Sequence, residues 1–402
     1  MRHRAKAPDT AAGRLVALTA ALVIMIGGGW PQAARADARE PATVPIPAAQ
    51  TTGADASASE VGVLNAPGSA KYTVIDLGQI APRAVNNRRQ VVGESTAPGD
   101  SGAVLWQNGQ LHNLGKLGGD RAEFIDINEN NQITGVMRPN HGPEVSFRWT
   151  DANSNQQIDP DELQWLGNFG SWTRAAAINN SGHVAGTAHD GNYTRAFRWT
   201  GGALQDLGTL GGPAAWVDDM NDQGTVVGAS CPGGQFCEVP WHAVQWTVGL
   251  PTSVDARGAE AHATAINNLG QIVGYFDSCD CLPSYRTVFL WSPSPGGGGG
   301  SQDIYGPVAA KPKPRINNQG QVLINDRLWQ NGTFTNLIDL LPPNSGWTNI
   351  KGYAINDLGD IVGEGWRNGQ SRGFLLSVVR WTLLFYLDGD NNLAGSYPPI
   401  FQ

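Results

Sequence analysis

Charge is scarce in this sequence. Asp, Glu, Lys and Arg make up 15% of 402 residues, with 27 cationic side chains against 35 anionic and a formal charge of −8. Such an acidic chain is poorly suited to nucleic acid or an anionic membrane surface, and better suited to cations or neutral polymers. Histidine occurs seven times, with no spacing that suits a metal site or a catalytic triad. No acid pair or histidine cluster recurs along the chain, and past the first thirty residues no apolar run is long enough to cross a bilayer. What is plentiful is glycine, 52 residues, and tryptophan, 14. That profile belongs to many turns and short aromatic-rich strands rather than to helices.

Residues 1–36 read as a secretory signal peptide. Arg2, Arg4, Lys6 and Arg14 precede the apolar run LVALTAALVIMIGGG from Leu15, and Ala34-Arg35-Ala36 offers small residues for cleavage. An uncleaved N-terminal anchor is the alternative. Cleavage would remove five cations and one anion, a net loss of four positive charges that takes the chain from −8 to −12. A secreted, extracellular protein with no membrane span after cleavage is therefore expected. Residues 37–70 are mostly Ala, Pro, Ser and Thr, too poor in large apolar groups to fold, and read as a disordered linker.

The remainder is repetitive. AVNNRRQVVG, DINENNQITG, AINNSGHVAG, DMNDQGTVVG, AINNLGQIVG, RINNQGQVLI and AINDLGDIVG align on Asn86, Asn128, Asn179, Asn221, Asn267, Asn317 and Asn356, spaced 42, 51, 42, 46, 50 and 39 residues apart. Seven residues after each Asn stands Gly93, Gly135, Gly186, Gly228, Gly274, then Ile324 against the rule, then Gly363. A fixed offset inside a variable period means a rigid hairpin between elastic loops. Asn suits the first position of its turn, and Gly182, Gly224, Gly270, Gly320 and Gly359 suit a positive φ. A third strand ends in Trp106, Trp149, Trp199, Trp246, Trp291 or Trp329, and a fourth reads LHNLG, LQWLG or LQDLG. Four short strands per unit predict an all-β fold, a seven-bladed β-propeller spanning residues 71–379. The last unit, Ile350 to Val378, lacks its fourth strand, and YTVIDLG from Tyr72 matches that strand, so the N-terminal strand is expected to close the ring. A β-solenoid, which needs no exchange of termini, is the competing architecture.

The segment AINNSGHVAGTAHDGNYTRAFRWTGGALQDLGTLGG resembles the extracellular HAF repeats of bacterial proteins, and the resemblance runs from about Tyr72 to Val378. It implies an extracellular location and no settled activity. Residues 380–402 include VRWTLLFYLDGDNNLAG, with Trp381 to Leu387 read as a parallel strand. This resembles the opening strand and turn of clostripain-like cysteine peptidases, as a truncated stub. The family's His and Cys lie further downstream, so no peptidase residue carries over.

Between the third and fourth strands of blade two lies DANSNQQIDPDE. Asp151, Asn153, Asn155, Asp159 and Glu162 place oxygens at positions 1, 3, 5, 9 and 12, and Gln157 offers its carbonyl at position 7. That is the twelve-residue Ca²⁺ loop pattern, with Gln156 where Gly makes the sharp bend, and a structural Ca²⁺ is the expected cofactor. A metal-free polar loop is the alternative. Cys231, Cys237, Cys279 and Cys281 follow the second strands of consecutive blades; an exported chain favours disulfides, within or across blades, over a four-thiolate metal site. The strand-ending tryptophans repeat as core residues do, whereas Trp172, Trp216 and Trp347 are candidate ligand platforms on a propeller face. Three functions follow. The chain is a non-catalytic binding or scaffolding module for an extracellular protein or polysaccharide, monomeric, and the N-terminal part of a larger secreted peptidase. It is a hydrolase or lyase working from the channel. Or it is a structural surface protein.

Overall fold

The computed structural model describes residues 72–379 apart from 235–236, 238–239, 248, 258–259, 279–284 and 310–311, together with short strands outside that span. Residues 70–378 form one compact unit. Within it, seven antiparallel four-stranded sheets follow one another as blades in a ring, with one 3-10 turn, Leu337–Leu340, as the helical element among the described residues. The fold is a seven-bladed β-propeller, and the solenoid alternative falls.

Closure follows the expected scheme. Tyr72–Gly78 pairs antiparallel with Gln370–Val378 and becomes the outer strand of blade seven. Its two faces serve two interfaces, as strand alternation requires. Tyr72 and Val74 pack in the cluster holding Leu323, Trp347 and Phe374, while Ile75 and Leu77 pack with Ile80, Val91 and Trp106 of blade one.

The repeated glycine has a steric cause. In six blades the inner strand carries a β-bulge just before the Asn, with register shifts at Pro82/Ala84, Phe124/Asp126, Ala175/Ala177, Val217/Asp219, Ala263/Ala265 and Gly352/Ala354. The bulge presses a carbonyl onto the residue opposite. A Cβ on Gly93, Gly135, Gly186, Gly228, Gly274 or Gly363 would fall inside 3.0 Å of the carbonyl oxygen of Ala81, Glu123, Arg174, Trp216, His262 or Lys351. Blade six explains its own exception. Its inner strand is only Arg315–Ile316, preceded by Pro312 and Pro314, and pairs with Leu323 and Val322 without reaching Ile324. The inner strand stops short of Ile324, which pairs with Arg327 on its other side and is buried at 1% exposure in the core.

Outside the propeller unit, Leu384–Leu387 lies antiparallel to both Ala58–Glu60 and Leu393–Ser396, and Trp381–Thr382 pairs with Ile400–Phe401. Leu384–Leu387, within the segment expected to form a parallel strand, has antiparallel partners on both sides.

Candidate functional site: the propeller channel

The repeat asparagine ties the ring together around its axis. Each Asn side chain accepts N–H bonds inside its own turn, as Asn179 Oδ1 does from Ser181 and His183. Its Nδ2 then donates to the backbone carbonyl of the Asn in the next blade. The chain of bonds runs Asn86, Asn128, Asn179, Asn221, Asn267, Asn317, Asn356 and back to Asn86, at 2.8–3.3 Å. A second belt lies beside it. The N–H groups of Asn87, Glu129, Asn180, Asp222, Asn268, Asn318 and Asp357 each donate to the side chain of the next member, at 2.6–3.0 Å. Asp cannot donate and Gln is a methylene longer, so only Asn fills the first position. The two belts enclose the narrow end of the channel, a space of about 200 Å³.

Above the belts the channel widens into a cavity of about 490 Å³ lined by the bulged inner strands. Two carboxyls stand where they meet. Asp126 accepts N–H bonds from Ile127 and from Ile178 of blade three, both 2.9 Å; Asp219 does the same with Met220 and Ile266 of blade five, at 2.8 and 2.9 Å. Each keeps a little surface on the channel while lying deep in the molecule. Burial pushes Asp126 up to about 7 and Asp219 up to about 6, against the downward pull of these N–H groups and of Arg315. Sequence reasoning missed both. The available signal was that Asp126 and Asp219 stand where Ala84, Ala177, Ala265 and Ala354 stand in other repeats.

The wide mouth is ionic and aromatic. Glu123, 1% exposed, is the hub: Arg83 Nε lies 2.6 Å from its carboxylate, Arg174 Nη2 3.2 Å and Arg121 Nη2 3.4 Å. Glu94 and Glu144 take the other arms of these arginines. Trp216, 39% exposed, lines the cavity and meets Trp172 at 6.0 Å between ring centres; His189 stacks on Trp172 at 5.7 Å. In blades four and five His262 stacks between Trp241 and Tyr275, at 6.2 and 5.2 Å.

Of the candidate platforms, Trp172 and Trp216 therefore come together at the mouth. Trp347 does not: it is buried at 4%, edge-on to Phe374 in the cluster that also holds Leu337 and Leu340. Trp106, Trp149, Trp199, Trp246 and Trp291 are core residues as expected, and Arg148 of blade two lies 4.8 Å over Trp199 of blade three.

The Asp151–Glu162 loop joins the third and fourth strands of blade two. Glu162 closes it, accepting from the N–H groups of Ala152 and Asn153 and the indole of Trp149. Asp151 accepts from Asn155 and Gln156, and Asp159 takes the side-chain amides of Asn153 and Asn155. Gln157 donates its N–H to Asn155 Oδ1. Gln156 makes the bend at φ 54, the conformation for which Gly is usual. Among the described residues, no three of His, Cys, Asp and Glu converge as a metal cage. The Asn153 and Asn155 amide oxygens accept the N–H groups of Asn155 and Gln157, so the polar groups of the loop bond one another. Cys231 is buried and Cys237 half-buried, both as free thiols; burial, then the neighbouring Cys231 thiol, pushes Cys237 up to about 12. Cys279 and Cys281 lie outside the described residues.

No known family and no curated protein matches this chain. Among solved structures, virginiamycin B lyase from Staphylococcus aureus is 12% identical, with 76% of this chain and 100% of that one covered and a TM-score of 0.45. TolB from Acinetobacter baumannii is 11% identical over 75% of this chain and 64% of that one, TM-score 0.43. The Aleuria aurantia lectin is 11% identical over 81% and 97%, TM-score 0.33. These likenesses concern the propeller fold alone.

Proposed function

We propose that this chain is a secreted, non-catalytic binding module of the HAF-repeat kind that takes a neutral polysaccharide at the wide mouth of its channel. The observation that carries the reading is the Trp172–Trp216 pair, with Trp216 39% exposed on the cavity wall beside Arg174. Sugar rings offer C–H faces that stack on indole, and hydroxyls that hydrogen-bond to charged side chains. The mouth charges support binding over catalysis, since Glu123 is held by three arginines rather than standing as a free acid or base. The leader Arg2 to Ala36 supports export, and export supports a Cys231–Cys237 disulfide. A structural Ca²⁺ in the Asp151–Glu162 loop belongs to the same reading.

The test is affinity electrophoresis of the purified chain against a panel of soluble neutral polysaccharides. Binding is expected, with Trp216→Ala weaker by about two- to tenfold, the range of an aromatic stacking contact. Absence of retardation by every polymer, or equal retardation of the variant, overturns it.

A further inference from the structure

The channel aspartates reveal what the rest of the waist is built to hold. In all seven blades the belt Asn donates its N–H to the residue four further on, as Asn86 does to Gln90 and Asn356 to Asp360. Ladder bonds alternate along an antiparallel pair, so the preceding residue turns its N–H away from the second strand and toward the axis. Four of these seven groups are claimed by carboxylates: Ile127 and Ile178 by Asp126, Met220 and Ile266 by Asp219. The other three, Val85, Ile316 and Ile355, lie in consecutive blades one, six and seven and meet no side-chain acceptor among the described residues. Between Ile355 and Val85, the position that Asp126 fills in blade two is Ala354, a single methyl. The neighbouring position in blade six is Arg315. Its Nη1 donates to the carbonyls of Thr264 and Pro314, and its guanidinium has no ion-pair partner among the described residues.

We propose that this side of the waist binds a carboxylate, of a small organic acid or of a chain end, seated over the Ala354 methyl on the Ile355 and Val85 N–H groups, in the cavity that Arg315 also lines, as Asp126 is seated on those of Ile127 and Ile178. Paired backbone N–H groups in a cavity that also holds a guanidinium make a carboxylate site of ordinary chemistry. The surrounding charge favours it under one condition. Four cationic side chains line the cavity, Arg83, Arg174, Lys313 and Arg315, against Glu123, Asp218, Asp126 and Asp219. When Asp126 and Asp219 are protonated, cations outnumber anions four to two. Glu129 lies below, in the second belt. The acidity of the distant surface counts for little, being screened over about 8 Å at physiological salt.

Because Asp126 rises to about 7 and Asp219 to about 6, both are ionised at pH 8 and largely protonated at pH 5.5. An anion therefore binds more tightly as pH falls through that window. Titration calorimetry of the full chain with succinate, at pH 8 and pH 5.5, reads this directly. Binding should strengthen by about tenfold or more at the lower pH, the scale of one like-charge pKa shift relieved. A parallel arm compares an alanine tripeptide with its C-terminal amide: preference for the free acid identifies a chain end, preference for succinate a small acid. Ala354→Asp places a carboxylate in the slot, as blades two and four already do, and should abolish binding. Should that variant fail to fold, Arg315→Gln decides, with weakening of about tenfold expected. No heat from succinate or tripeptide at either pH, or undiminished binding by the variants, overturns the slot. Polysaccharide retardation measured on the same preparation is independent, so either reading can fail without the other.

Discussion

At the scale of single residues, two kinds of side chain explain why this repeat is recognisable. The asparagine donates to the next blade and accepts within its own turn, so every copy is held by two demands at once. The glycine seven residues on is held by a carbonyl. Its spacing stood out in the sequence but its reason did not, because a β-bulge leaves no residue signature of its own. Ile324 supplies the internal control: where Pro314 cuts the inner strand short, a branched side chain is accepted. Gly228→Ala should accordingly destabilise the ring by about 2–3 kcal/mol, an overpacking cost at a site that cannot relax. Gly202→Ala, in a turn with nothing within 4 Å, should stay within about 0.5 kcal/mol. Chemical denaturation compares them, and equal midpoints would remove the carbonyl argument.

At the scale of elements, the Asp151–Glu162 loop shows how far a local pattern can be read. The twelve-residue oxygen spacing pointed to a Ca²⁺ ring closed by Glu162; in the loop as folded, Glu162 accepts the N–H groups of Ala152 and Asn153. Gln in place of Gly at position six implies a strained or differently shaped bend, and Gln156 takes φ 54, with its N–H bonded to Asp151. The strain is local and met by a hydrogen bond, which composition cannot foretell. We expect millimolar Ca²⁺ to release or absorb heat on titration into the full chain and to raise its melting temperature. At a hundred times the dissociation constant the gain is on the order of 2.7 kcal/mol. Glu162→Ala should lose most of both signals, since a hard dication tolerates few neutral replacements. Identical traces from variant and parent mean the loop is merely polar.

At the scale of the whole molecule, what the sequence could say divides by distance along the chain. Blade number and the exchanged strand were legible, because each rests on similarity between segments that a linear comparison can see. The waist was not. Asp126, Asp219 and Arg315 are 93 and 96 residues apart in succession, and their common role exists only once seven inner strands face one axis. The mouth was half legible: of the three tryptophans singled out near the inner strands, Trp172 and Trp216 meet beside the cavity, whereas Trp347 is buried in the core of blade seven.

That closing strand is where the two ends of the propeller sequence meet, and its fastening is ionic as well as laddered. Asp76 of the N-terminal strand lies 2.9 Å from Arg367 Nη1 and 2.8 Å from Arg372 Nε. Burial alone would raise its carboxyl, but the bonds from Arg372, the Gly78 N–H and Arg367 outweigh that and hold it below the ordinary range. At the Tyr72 end of the same strand, Arg89 of blade one reaches fully buried Asp360 of blade seven at 3.1 Å. A depressed carboxyl stabilises the fold wherever the unfolded chain would be ionised, above about pH 4, and the contribution fades as pH falls through the folded value. Asp76→Asn should therefore lower stability at pH 7 by about 1 kcal/mol, the upper end for a half-exposed pair. The gap between variant and parent should close as pH drops below about 4. Deleting residues 72–78 removes the whole strand, exposes the edge of Gln370–Val378 and should depress the melting temperature of the entire ring, whereas deleting 37–70 should not. Scanning calorimetry of the three variants decides it: two deletions with the same negligible effect, or an Asp76→Asn gap that persists unchanged to pH 2, would mean that the ring does not depend on this clasp.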